Sequence, residues 1–168
     1  SGGHTMLLDV PAWGEYRLLG ETPDDAAGEA FDKVGTMLGL RYPAGAALER
    51  LAATGNPDRY DFPRPMLKDL AEPGRHQFAF SFSGLKTALL RAVKASDDLA
   101  RDRADLARGF QDAAIEVLVE KTARATELLR KATEADPKVK NGWNDLGRSL
   151  RDKGDKAGAI KAFDKQIE

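Results

Sequence analysis

Cysteine does not occur in the 168 residues, which removes disulfides, thiolate metal sites and a thiol nucleophile in one step. Histidine is nearly missing as well, present only as His4 and His76. Neither has an acidic cluster at ligand spacing beside it, so no metal site is expected within the sequence. No uninterrupted apolar run is long enough to span a membrane, and no basic stretch followed by an apolar one opens the sequence. The expectation is a cytoplasmic chain with no membrane partner. An excess of one charge is also lacking: 26 Lys and Arg stand against 27 Asp and Glu, a formal net charge of −1. There is no global basic field to recruit nucleic acid, and any RNA contact must be local. What is present, 42% hydrophobic and 32% charged residues, suffices for a packed core in one domain or two small ones.

From Gly3 to Gly20 the pattern reads as two short strands joined through Pro11 to Glu15, a hairpin with Pro and Gly supplying turn chemistry. Thr22 is placed as an N-cap, Pro23 at a first helical position and Asp25 as a capping-box acid, so a helix is expected to start there. Its apolar residues Ala27, Ala30, Phe31, Val34 and Leu38 follow helical spacing, and Asp25, Glu29 and Asp32 fall on another, acidic face. A shorter helix over "PAGAALERLAATG" turns Leu48 and Leu51 inward and ends at Gly55, expected as a left-handed cap. The prolines of "NPDRYDFPRPM" predict an ordered loop. Phe78, Phe80 and Phe82 alternate as in a brief strand, followed by a helix entered through Ser83 and Gly84. From Ala104 a helical pattern runs about 30 residues without a cap, which suggests two helices fused end to end.

The last stretch differs in texture. Trp143, Leu146, Gly147, Gly154, Ala159 and Phe163 stand at the spacings of a tetratricopeptide repeat, and "LLRKATEADP" matches the end of a preceding one, with Pro137 closing it. The expected product is a helical hairpin whose uncovered apolar edge offers a contact for a protein partner or for self-association.

Several residues carry binding chemistry in principle. Gly2 and Gly3 lack Cβ atoms, so their N–H groups can approach phosphate closely; on its own such a pair is far more often just a hairpin corner. Asp32 can accept hydrogen bonds from ribose hydroxyls, or stand as a solvated helix acid. Gly45 gives backbone access beside a helix N-terminus with Glu49 one turn later, or the two are a loop glycine and a surface acid. Arg59, Arg64, Lys68 and Arg75 lie loosely around the Pro-rich loop, where they can meet RNA phosphates, though such charges are usually a solvated surface.

The blocks "SGGHT", "DDAAGEAFDKV", "LGLRYPAGAALERLA", "FPRPM" and "FSFSGLKTA" occur in one order and at family-like spacing. Together, over Ser1 to about Ala125, they resemble the TsaD family, the bacterial transferase that makes N6-threonylcarbamoyladenosine (t6A) in tRNA and a relative of the Kae, Qri and Gcp proteins. The resemblance implies an actin-like, ribonuclease-H-like parent fold with nucleotide in a cleft between two lobes. It implies threonylcarbamoyl-adenylate or an ATP-type nucleotide as ligand, and tRNA and the other t6A-synthesis proteins as partners. Residue by residue, it makes Ser1, Gly2 and Gly3 the phosphate-side turn, Asp32 and Gly45 nucleoside contacts, and Glu49 a further candidate.

Departures from the pattern bear on activity. The family's His-x-x-x-His metal motif precedes SGGHT, and a later Gly-Gly turn with a nucleotide-binding Asn and a metal-binding Asp follows the last shared helix. Here the tetratricopeptide-like tail stands in that place, and Asn141 belongs to it. The usual Pro-Gly-Gly-Pro is changed to "PAGA", which keeps Gly45. The ligands of the family metal, iron or zinc, are thus outside this sequence, no catalytic residue is assigned, and the chain alone is expected to be inactive. The expected class is α+β and mostly helical: an incomplete actin-like fragment with an N-terminal β-hairpin over residues 1–125, and a tetratricopeptide-like helical tail over 126–168. The alternative is a non-enzymatic interaction module or chimera acting through that tail.

Overall fold

Alternating apolar and polar residues pair Met6–Ala12 (β1) with Glu15–Glu21 (β2) as an antiparallel hairpin. The computed structural model describes residues 2–68 and 77–135; Ser1, Arg75, His76 and the repeat-like residues from Pro137 to Phe163 lie outside the described residues. Leu7 faces Gly20, Leu8 faces Leu18 and Asp9 faces Arg17. The register is irregular between Asp9 and Ala12, which is where Pro11, unable to donate to a ladder, is accommodated within β1. The turn is therefore tighter than expected, passing through Trp13, 95% exposed, and Gly14 at φ +87°.

The first helix, Ala27–Met37 (α1), starts four residues later than the cap signals suggest. Thr22 does not cap it: its hydroxyl donates to the Asp24 carboxylate at 3.2 Å and receives the Asp24 N–H at 3.3 Å, folding a local turn. Asp25 is taken by Lys33 at 2.6 Å and by Lys86. The α1 donors are met instead from across the fold, where Thr5 Oγ1 accepts the Ala27 N–H at 2.9 Å. Glu29 accepts the Ala26 N–H at 3.4 Å. Gly39, at φ +80°, ends the helix, and the next N–H, of Leu40, returns to the Gly35 carbonyl at 2.9 Å.

Gly45–Ala52 forms α2, with Leu48 buried and Leu51 half-buried. Gly55 is not a left-handed cap, since the described glycines at positive φ are Gly14 and Gly39. It is a packing glycine: a Cβ there would stand 2.2 Å from the Ala104 carbonyl oxygen. The Pro-rich loop is ordered, with Phe62 buried and stacked on Tyr60 at 6.0 Å. Phe80 and Phe82 are buried in an extended segment that makes no ladder of its own; the Phe80 N–H donates to the Glu21 carbonyl at 3.1 Å. Ser83–Ala95 (α3) then begins where Ser83 and Gly84 place it.

The long helical pattern is a single continuous helix, Leu99–Ala135 (α4), 37 residues, about 55 Å of axis at 1.5 Å per residue. Its first half carries the stripe Leu106, Phe110, Ala113, Ala114 and Val117 into one core with Val34, Leu48, Phe80, Leu85 and Leu89. Among the described residues the fold is a mixed one, a two-stranded sheet and four helices, with α1, α2 and α3 gathered on that half of α4. No described helix is long and apolar enough to cross a membrane.

Close approach along α4 makes Gly109 sensitive. A Cβ there would lie 2.6 Å from the Tyr60 carbonyl oxygen and 3.2 Å from the Phe62 ring, so Gly109→Ala is expected to cost about 1–3 kcal/mol through overpacking. At Gly84 the nearest atom to an added Cβ is Pro65 Cγ at 3.6 Å, and Gly84→Ala should be neutral or slightly stabilising. Urea melts of both variants check this; equal midpoints would remove the packing argument.

Burial raises the Asp25 carboxyl, but hydrogen bonds from Lys33 and Lys86, and their charges, outweigh it and hold the group below its ordinary range. A depressed folded pKa means that the stabilisation is complete above the unfolded value, about 3.9, and is lost as pH falls through the folded one. Thermal midpoints should hold from pH 7 to about 5 and fall below about pH 4. Asp25→Asn should lower the midpoint at pH 7 and flatten part of the acid slope. An unchanged slope in that variant would show that Asp25 is not the group responsible.

Candidate functional site

Asp32 lies in α1 and reaches the start of α2. Its Oδ1 accepts the N–H of Ala44 at 2.7 Å and of Gly45 at 2.9 Å, closing donors that a helix N-terminus leaves open. The second oxygen, Oδ2, takes no hydrogen bond among the described residues. The acid read as part of a solvated face is therefore half-buried and bridges two helices, with one oxygen used by the fold and one left over.

That residue borders a cleft of about 460 Å³ walled by α1, α2 and α4, whose lining includes Gly2, Phe31, Asp32, Gly45 and Glu49. Four of the six residues suggested by sequence thus meet here: Gly2, Asp32, Gly45 and Glu49. Gly3 is close in sequence but does not line the cleft, and Ser1 is outside the described residues. Atoms built as Cβ on Gly2 or Gly3 would meet nothing within 4 Å, so their backbone is open to a ligand. At Gly45 an added Cβ would find only Asp32 Oδ1, at an ordinary 3.7 Å. Its N–H is already given to Asp32, so what it leaves to the cleft is the space above its backbone, rather than relief of a clash.

Gln111 and Ile115, from α4, complete the cleft, and sequence reasoning missed both. The available signal was positional: each follows directly on a core residue, Phe110 and Ala114, so the pair lies one step off the buried stripe. On the other side of Asp32 a second concavity of about 680 Å³ shares Gly2 and Asp32 and is bordered by Lys33, Met37 and Tyr42. Lys33 is held by Asp25 at 2.6 Å and Glu29 at 2.7 Å, so its charge is spent within the fold.

Of the loose basic cluster, Arg59 and Lys68 are exposed, Arg75 lies outside the described residues, and Arg64 is engaged within the fold. Arg64 is locked between Glu116, at 2.8 Å, and Asp61, and these hydrogen bonds, Glu116 first, raise its pKa further. Arg59 lies 6.0 Å from the Tyr60 ring centre. Among the described residues no three His, Asp or Glu side chains converge as a metal site would require, and these residues do not fit the iron or zinc of the resemblance.

A family model described as TsaD, tRNA N6-adenosine threonylcarbamoyltransferase, matches residues 1–141. The tRNA N6-adenosine threonylcarbamoyltransferase of Gemmatimonas aurantiaca (strain DSM 14586 / JCM 11422 / NBRC 100505 / T-27) is 54% identical over 140 residues, 79% of this chain and 39% of that protein. The protein of the same description from Ralstonia pickettii (strain 12J) is 56% identical over 130 residues, 74% of this chain and 36% of its own length. The chain thus spans less than two fifths of either relative.

If Asp32 ties α1 to α2, its removal has a cost that needs no ligand. Asp32→Ala should destabilise the chain by about 1–2 kcal/mol, as for a lost N-cap, and Asp32→Asn by less, because an amide oxygen still faces the two N–H groups. Chemical denaturation without ligand tests the order; Asn as damaging as Ala would argue against the cap.

Proposed function

Since this chain belongs to the TsaD family, we propose that its cleft is the nucleotide side of a tRNA N6-adenosine threonylcarbamoyltransferase site, holding threonylcarbamoyl-adenylate or an ATP-type nucleotide. The observation that supports this best is the meeting of Gly2, Asp32, Gly45 and Glu49, far apart in sequence, around one cavity. Asp32 Oδ2 and the Glu49 carboxylate are acceptors only and suit the hydroxyls of a ribose. The open backbone of Gly2 and Gly3 suits phosphate, with Ser1 beside them in sequence as the remaining candidate. In the reaction of such a transferase, the N6 amine of a tRNA adenosine attacks the carbamoyl carbonyl of the adenylate and AMP leaves. The residues here would contribute by fixing the adenylate, which lowers the entropic part of the barrier.

The finer assignments rest on the same reading. The parent architecture is actin-like, with residues 1–125 as one of its segments. The partners are tRNA and the other t6A-synthesis proteins. Residues 126–168 form a tetratricopeptide-like tail that serves a protein contact or self-association. With no metal ligand set among its described residues, the chain by itself is expected to yield no t6A.

Part of a site offers few contacts against the lost freedom of a ligand, so ATP should bind weakly, at roughly millimolar Kd. Asp32→Asn, which keeps the cap, should weaken ATP by about tenfold through loss of a charge-assisted hydrogen bond. Titration followed by amide shifts of Gly2 and Gly45 measures both; ATP affinity untouched by Asp32→Asn would take the ribose away from this acid.

A further inference from the structure

We propose that Gln111 and Ile115 form the base-reading end of the cleft and select adenine over guanine. This deepens the nucleotide reading above and depends on it. Both residues come from α4, four apart and hence on one face one turn from each other, and both line the same cavity as Asp32 and Glu49.

Each has a property that the fold itself does not use. Ile115 is 45% exposed although Ala113, Ala114 and Val117 around it in sequence are buried, so it offers an apolar surface to the cleft. Gln111 is half-buried, and its carboxamide has no hydrogen-bond partner among the described residues. A carboxamide carries two donors and an acceptor side by side, and at a cavity wall that capacity calls for a ligand of matching edge.

The chemistry of the lining is divided. Asp32 and Glu49, from α1 and α2, accept hydrogen bonds and suit hydroxyl groups. Gln111 both donates and accepts, and suits a heteroaromatic edge that alternates the two. Adenine presents such an edge: its N6 amino group donates and the neighbouring ring nitrogen accepts, the pairing that glutamine makes with this base elsewhere. The selection requires that the base turn its N7 edge to Gln111: on that edge adenine offers the N6 donor beside the N7 acceptor, whereas guanine offers O6 and N7, two acceptors, and the carboxamide oxygen would then face an oxygen. Phe31, also lining the cavity, has its ring fixed edge-on by Phe110 at 5.1 Å and 69°. With Ile115 it supplies apolar contact for a planar base, as aromatic side chains commonly do.

The test uses the full 168-residue chain with ATP and GTP as probes, followed by proton–nitrogen spectra. ATP should shift the side-chain amide signals of Gln111, and Ile115 methyl protons should show cross-relaxation with the adenine ring protons. ATP should bind about tenfold more tightly than GTP, the size expected of one matched hydrogen-bond pair, and Gln111→Leu should bring that ratio near one mainly by weakening ATP. A preference for ATP that persists in Gln111→Leu, or no preference in the unaltered chain, overturns the assignment. Shifts at Gly2 and Gly45 with none at Gln111 or Ile115 would overturn it while leaving the cleft a nucleotide site. No shift at any of the four would overturn both readings.

Discussion

Three carboxylates within nine residues hold the arrangement on which the cleft depends. Asp24 accepts the Phe82 N–H at 2.9 Å and the Ser81 hydroxyl at 2.6 Å, fixing the approach to α3. Asp25 grips Lys86 of α3 and Lys33 of α1. Asp32 closes the start of α2. Burial raises the Asp24 carboxyl, yet the bonds from Ser81, Phe82, Thr22 and Ser83 together keep it below its ordinary range. That is the mark of a carboxylate whose charged form the fold satisfies. Around α1, direction is thus set by ionised side chains meeting backbone donors and ammonium groups, while the apolar stripe beneath supplies most of the burial. Apolar contact alone is non-directional and would let α2 and α3 slide on α1; the three acids fix where they stop.

The other side of the cleft is set by closeness rather than charge. Small residues on α4, Ala107, Gly109, Ala113 and Ala114, are all buried or packed at backbone distance. Gly55 likewise meets the Ala104 carbonyl, and Gly109 meets the Tyr60 carbonyl. Helices that approach this tightly leave little freedom to tilt, so the residues just off the contact stripe are held as firmly as those on it. Gln111 and Ile115 owe their fixed position to that neighbouring stripe.

Legibility followed the range of the interaction. The hairpin, α2 and the start of α3 are governed by local periodicity and turn residues, and they lie where the sequence puts them. The start of α1 did not, because Thr22 and Asp25 carry a local cap signature but are taken by other partners: Thr22 by Asp24, and Asp25 by Lys86 from 61 residues away. Gly55 was misread for a related reason, since a glycine after a helix looks like a cap whether or not another helix passes over it. The phenylalanine alternation suggested a brief strand; Phe80 and Phe82 are buried, yet alternation says nothing of whether a partner strand exists to make a ladder, and none is there among the described residues. In the site, Gly2, Asp32, Gly45 and Glu49 were found through family resemblance, because no local pattern distinguishes a ligand acid from a surface one. Gln111 and Ile115 lie outside the quoted blocks, and only the packing of α4 against α1 and α2 brings them to the same cavity.

Asp32 belongs both to the acids and to the cleft wall, because one of its oxygens is used by the fold and the other is left over at the cleft. Oδ1 is held by two N–H groups within 2.9 Å, which fixes the carboxylate plane and so aims Oδ2 before any ligand arrives. Such preorganisation spares a ligand the cost of ordering that side chain. The opposite holds across the cleft, where nothing in the described structure packs against Gly2 or Gly3 within 4 Å of a Cβ position. Fixing a backbone residue costs about 1–2 kcal/mol, and a ligand using that turn must meet it from its own contacts. On the nucleotide reading proposed above, a nucleoside that uses Asp32, Glu49 and the α4 face would draw on side chains the fold has already placed, whereas phosphates at the open glycine backbone would add contacts that the fold does not itself make.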